Sequence, residues 1–139
     1  MIEFALVFPV VFFLIYSLLG YGLLFMLEQN ITLAAEEGAR AAIAIDPEPF
    51  GADTTAYTTA VTNRARSVAK DRLNWLPEYQ RTLVSDNITV TVGAGNVATV
   101  RVSYPNYESN PIIPAIRLPG FGSVPPYPGD IFAEAKIQL

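Results

Sequence analysis

A chain of 139 residues without a single Cys or His has no disulfide staples, no thiol nucleophile, none of the usual zinc sites and no Ser-His-Asp arrangement. Its 9 basic and 13 acidic residues give a net charge of -4 with no basic tail or patch, which argues against nucleic-acid binding.

The first element is the longest. From Phe4 to Leu27 there is no charged residue, and twenty-four helical residues at about 1.5 Å each span about 36 Å, enough to cross a hydrocarbon core of about 30 Å with some tilt. Glu28 to Ile45 continues in Ala-rich, helix-favouring sequence without Pro or paired Gly, so the spacing predicts one helix over about 2–45 that leaves a membrane and enters a soluble domain. Glu3 is a carboxylate at the very start of this apolar helix, and a charge at bilayer depth calls for a partner. Either Glu3 lies at the headgroups and complements its own helix dipole, or its partner is the terminal ammonium of a neighbouring copy packed alongside. Pro9 lies too far inside the helix to occupy a first-turn position and removes the bond to the Ala5 carbonyl, which predicts a kink. Ser17, Gly20 and Gly22 form a second point of low bulk, fitted to a close helix neighbour or a local bend. Ala34 with Gly38, and Ala35 with Ala39, put small residues four apart and make the upper helix thin. Glu36 and Arg40 have the favourable order for a solvated intrahelical pair.

Asp46-Pro47-Glu48-Pro49 ends the helix, because a residue before Pro is pushed out of the helical region. The acidic residues here lack calcium-loop spacing and read as a turn and a helix cap. Asp53 or Thr54 caps a second, amphipathic helix whose apolar face is Tyr57, Val61, Ala65, Val68, Leu73 and Leu76. Its other faces carry Arg64, Arg66, Lys70 and Arg72, a solvated basic surface. After Pro77 the period changes to two. Ile88, Val90 and Val92, a turn at Gly93 to Asn96, then Ala98, Val100, Val102 and Tyr104 describe a hairpin, and Ile131, Ala133, Ala135 and Ile137 a third strand. Between them, Pro105 to Asp130 holds seven prolines among Tyr107, Ile112, Ile113, Ile116, Leu118, Phe121 and Tyr127. That apolar content predicts a stiff segment docked on the head or on a neighbour. The sequons at Asn30 and Asn87 fall in a predicted helix and strand and read as chance. The fold expected is therefore α+β: a helix over 1–45, and over 46–139 a small head of one amphipathic helix, three antiparallel strands and a Pro-rich loop.

Glu3-Phe4-Ala5-Leu6-Val7-Phe8-Pro9, Ala34-Ala35-Glu36-Glu37-Gly38-Ala39-Arg40-Ala41-Ala42 and Val102-Ser103-Tyr104-Pro105 resemble the TadE-like pilin-related proteins of tight-adherence systems, relatives of type IV pilins. The resemblance implies a structural subunit whose apolar helix anchors it in the inner membrane and then packs into an extracellular filament, with itself or other pilin-like subunits as partners. The alternative it leaves is a bitopic inner-membrane module acting as a minor pilin or assembly factor. It further implies a short basic leader removed by a prepilin peptidase. With no Lys or Arg before Arg40, the sequence resembles the processed product, and the head is expected outside the cytoplasm. The residues expected to carry assembly are Met1, Glu3, Phe4, Pro9, Gly20, Gly22, Ala34 and Gly38. No cofactor or metal is expected, and no paired carboxylates or nucleophile with a base point to an enzyme.

Overall fold

The structure, a computed structural model, describes residues 2–118, 122–125 and 128–139. Helix α1 (Ile2–Ile43) runs unbroken through Pro9 and through the Gly20 to Gly22 region, ending two residues before the expected Ile45. Asp46 takes the next turn, its Oδ1 accepting from the Glu48 N–H at 2.9 Å, before a short 3₁₀ turn at Glu48–Phe50. Helix α2 (Thr54–Asp71) starts at Asp53, whose Oδ1 accepts from the Ala56 N–H at 2.9 Å, a side-chain cap that satisfies one of the otherwise unpaired first-turn donors.

Two of the helical expectations need correction. Leu73 and Leu76 are buried but lie beyond α2, because the chain tightens there into three-residue bonds from the Leu73 N–H to the Lys70 carbonyl and from the Leu76 N–H to the Leu73 carbonyl, both 3.0 Å. The head also contains a further helix, α3 (Glu78–Asp86), begun just after Pro77 and closed where the Asn87 amide donates to the Leu83 carbonyl at 2.8 Å.

Strands β1 (Ile88–Gly93) and β2 (Val97–Tyr104) form the expected hairpin, in register from Ile88 opposite Val102 to Gly93 opposite Val97. The turn needs a left-handed backbone, supplied by Gly95 (φ 76°) and Asn96 (φ 57°). Inside the Pro-rich segment a second, two-stranded sheet appears that the alternation did not predict: β3 (Ile116–Leu118) against β4 (Gly122–Val124). Strand β5 (Ile131–Gln138) returns antiparallel to β2, giving the order β1-β2-β5.

The sheet covers one flank of two helices, with β1 over α2 and β5 over α1. Its inner face supplies Ala98, Val100, Val102, Tyr104 and Ile131 to a core completed by Leu27, Ile31, Ala35 and Ala42 of α1 and by Val61, Ala65 and Ala69 of α2. The outer face is solvated, where Glu134 pairs with Arg101 at 3.9 Å and Lys136 at 3.1 Å, and Arg101 lies over the Phe132 ring. This is the alternation expected of an antiparallel sheet with one wet side.

Candidate assembly surface

The two halves of α1 live in different surroundings. From Leu27 onward one stripe, Leu27, Ile31, Ala34, Ala35, Gly38, Ala39 and Ala42, is buried in the head, the spacing of a single helix face. Below Leu27 the helix stands largely bare. Phe4, Leu6, Leu14 and Leu18 are 66–74% exposed, and Phe4, Phe8, Phe12 and Tyr16 line one side with successive ring centroids 5.8–6.2 Å apart. A soluble domain does not leave so long an apolar surface uncovered; it marks a site of contact with lipid or with other subunits. Glu3 is exposed in the first turn, and α1 is long and apolar enough to cross a membrane.

The expected assembly residues divide between these two environments. Glu3, Phe4, Pro9 and Gly22 lie on the bare part, and a Cβ added at Gly22 would meet nothing within 4 Å. Gly20 is buried, with Pro125 covering it so closely that a Cβ there would sit 3.0 Å from the proline Cδ. Ala34 and Gly38 are buried by the chain's own head. A Cβ at Gly38 would lie 3.0 Å from the Ala65 carbonyl oxygen and 3.2 Å from both Ala69 Cβ and Val100 Cγ1, so the thin upper helix brings α1, α2 and β2 together. Met1, Phe121 and Tyr127 lie outside the described residues.

The charges are paired differently from the simplest reading. Glu36 and Arg40 do not come within ion-pair distance; instead Glu37 meets Arg72 at 3.6 Å, tying α1 to the end of α2. Both side chains keep solvent contact, so this pair orients more than it stabilises.

The Pro-rich segment is held by a set of polar contacts that local sequence pattern does not reveal. The Tyr107 N–H donates to the Gly129 carbonyl and the Asn106 N–H to Asp130 Oδ1, both at 2.8 Å. Tyr104 and Tyr107 meet edge to face at 5.2 Å, the Tyr104 hydroxyl donates to the Asn110 carbonyl, and the Tyr79 hydroxyl donates to Asn110 Oδ1 at 3.0 Å. Burial pushes the Tyr104 phenol up to about 12, with the neighbouring phenols of Tyr107 and Tyr79 adding to the shift. Furthest down the helix, the Tyr16 hydroxyl donates to the Pro114 carbonyl. The head therefore grips α1 well below Glu28, where the charged residues of its upper half begin.

Residues 1–40 match the family model of TadE-like proteins. The similarity is to the N-terminal segment alone, under a third of the chain. The match covers the whole bare half of α1 and most of the half that enters the head, the same stretch that carries Glu3, the apolar run and the Glu-Gly-Ala-Arg segment. TadE-like proteins are pilus-related, and the matched helix is long and apolar enough to cross a membrane. No curated protein and no solved structure matches the chain.

Proposed function

We propose that this TadE-like chain is a structural subunit of a tight-adherence pilus, held in the inner membrane by the lower half of α1 and then polymerised outside it by exchanging lipid for neighbouring helices. The observation that carries the reading is the division of α1: an upper half fixed in a folded head, and a lower half most of whose large apolar side chains, Phe4, Leu6, Val10, Leu14 and Leu18 among them, lie exposed. Burying such a surface against like helices recovers close packing, and the row of Phe4, Phe8 and Phe12 offers large, shape-specific contact area. The exposed Gly22 allows a neighbour's backbone to approach, and Ala34 and Gly38 contribute by fixing the head on the helix.

In this reading Glu3 carries register. It pairs in the fibre with the terminal ammonium of a neighbouring copy after a prepilin peptidase has removed a leader. The role is structural rather than catalytic, with copies of the same chain or other pilin-like subunits as its partners in the fibre. The second reading, a bitopic assembly factor that stays in the membrane, draws on the grip of the head at Tyr16 and Gly20.

The test is Glu3→Ala. Removing a charge from an apolar helix makes insertion easier, so membrane-resident protein should persist at its normal level. If Glu3 pairs with a neighbour, the fibre is left with an unpaired buried cation, a loss of about 3–5 kcal/mol when one member of a buried pair is removed, and surface fibres should disappear. If Glu3 only complements its own helix dipole, the loss is about 0.3–1 kcal/mol. Normal fibre counts beside normal membrane protein would remove the pairing role.

A further inference from the structure

We infer that the described parts of the Pro-rich segment, residues 112–118 and 122–125, form a wedge that sits in the headgroup and upper acyl region of the leaflet from which the head emerges. The inference rests on the membrane residence proposed above and adds to it a lipid-binding element outside the helix.

In the membrane-resident state Glu3 lies at the far boundary of the hydrocarbon core, since a carboxylate cannot sit deeper without a partner. Tyr16 is then about 20 Å up the helix and Gly20 about 26 Å. A hydrocarbon core is about 30 Å thick. The hydrogen bond from Tyr16 to the Pro114 carbonyl and the covering of Gly20 by Pro125 therefore place this segment about 4–10 Å below the near boundary, the depth reached by elements that lie in the interface rather than span the bilayer.

The composition suits that depth. Irregular backbone is costly in lipid because its N–H groups go unpaired. Here Pro111, Pro114 and Pro125 carry no N–H, the β3–β4 ladder pairs part of the remainder, and the Pro114 carbonyl accepts from Tyr16. Ile112, Ile113, Ala115 and Ile116 are half-buried and Pro114 is exposed, leaving apolar surface to meet acyl chains. Arg117 is exposed on β3, where a long cationic side chain rises to lipid phosphate. Tyr21, 48% exposed on α1 at the same level, has the amphipathic ring typical of membrane boundaries.

The experiment uses single-tryptophan versions of the full chain in phosphatidylcholine–phosphatidylglycerol vesicles, built on Trp75→Phe. Pro114→Trp and Arg117→Trp report on the wedge. Ala94→Trp reports on the opposite end of the head, since β5 starts beside Glu28 and Thr32 of α1 and β2 crosses Gly38, which puts the β1–β2 turn furthest from the bilayer. Flotation through alkaline carbonate verifies insertion, and far-UV circular dichroism verifies folding. With lipids brominated near the glycerol end of the acyl chain, the Pro114→Trp and Arg117→Trp proteins should be quenched several-fold more than the Ala94→Trp protein. Inserted, folded proteins quenched no more than the Ala94→Trp protein would overturn the wedge and leave the membrane anchor standing. A chain that fails to float with the vesicles would overturn both.

Discussion

Adding one methyl group at Gly38 asks whether three elements really meet there as closely as the structure has them. A Cβ would stand 3.0 Å from the Ala65 carbonyl oxygen, 3.2 Å from Ala69 Cβ and 3.2 Å from Val100 Cγ1, whereas ordinary carbon contacts settle at about 3.5–4.0 Å. Relief requires α2 to retreat from α1 by a few tenths of an ångström, but α2 is fixed on its other side by β1 and its contact residues Ala65 and Ala69 are fully buried. Helix propensity favours Ala over Gly by about 1 kcal/mol, and overpacking a well-filled core costs about 1–3 kcal/mol. Gly38→Ala should thus be neutral to destabilising by up to about 2 kcal/mol, the difference between those two effects. Gly38→Leu, with four carbons and no space to receive them, should lose about 3 kcal/mol or more and fail to give a stable head. The assay is urea unfolding of the full chain in detergent followed by far-UV circular dichroism. A Gly38→Ala protein more stable by the full propensity gain, with an unchanged denaturant slope, would refute the close junction.

Asp53→Ala removes the cap of α2 and should lower the same unfolding free energy by about 0.5–2 kcal/mol; an Asp53→Asn protein should retain most of it. The Tyr104 phenol, raised from 10.0 to about 12 by burial, favours the folded state only while protonated. Its contribution is complete below pH 10 and is lost as pH rises through about 12. Alkaline unfolding curves should show a fall over that window that Tyr104→Phe weakens. The same Tyr104→Phe change, by leaving the Asn110 carbonyl without its donor, should cost about 0.5–1.5 kcal/mol at neutral pH.

Much of this architecture is legible in the sequence because it rests on long, regular patterns. An uncharged run from Phe4 to Leu27 followed by Ala-rich sequence admits little but one helix, and the alternation around Gly93 to Asn96 admits little but a hairpin. The amphipathic face of α2 is legible too, yet its end is not. Leu73 and Leu76 keep the helical spacing and are buried, but they reach the core from three-residue turns, a change of bonding that side-chain periodicity does not register. Helix α3 escapes for a different reason. It has nine residues, too few for a repeating apolar face, and only Val84 and Ser85 are buried in it.

The candidate site divides in the same way. Its bare apolar half is visible in the sequence, and the docking of the Pro-rich segment follows from its isoleucines and aromatics. Which surface receives that segment does not follow, because the contacts of Tyr16 with Pro114 and of Gly20 with Pro125 join residues about a hundred positions apart. Small residues on a helix raise a similar ambiguity. Gly22 faces open space while Gly38 faces Ala65, Ala69 and Val100, and nothing in the local sequence distinguishes a notch for a neighbour from a notch for the chain's own head.

The central claim is that this chain becomes the repeating material of a fibre, and mass spectrometry of fibres sheared from the cell surface tests it most directly. The account predicts this chain as an abundant fibre component, its helical segment intact and its first residue set by removal of a leader. Fibres that lack the chain, from cells in which all of it extracts as small detergent-bound species, would contradict the account.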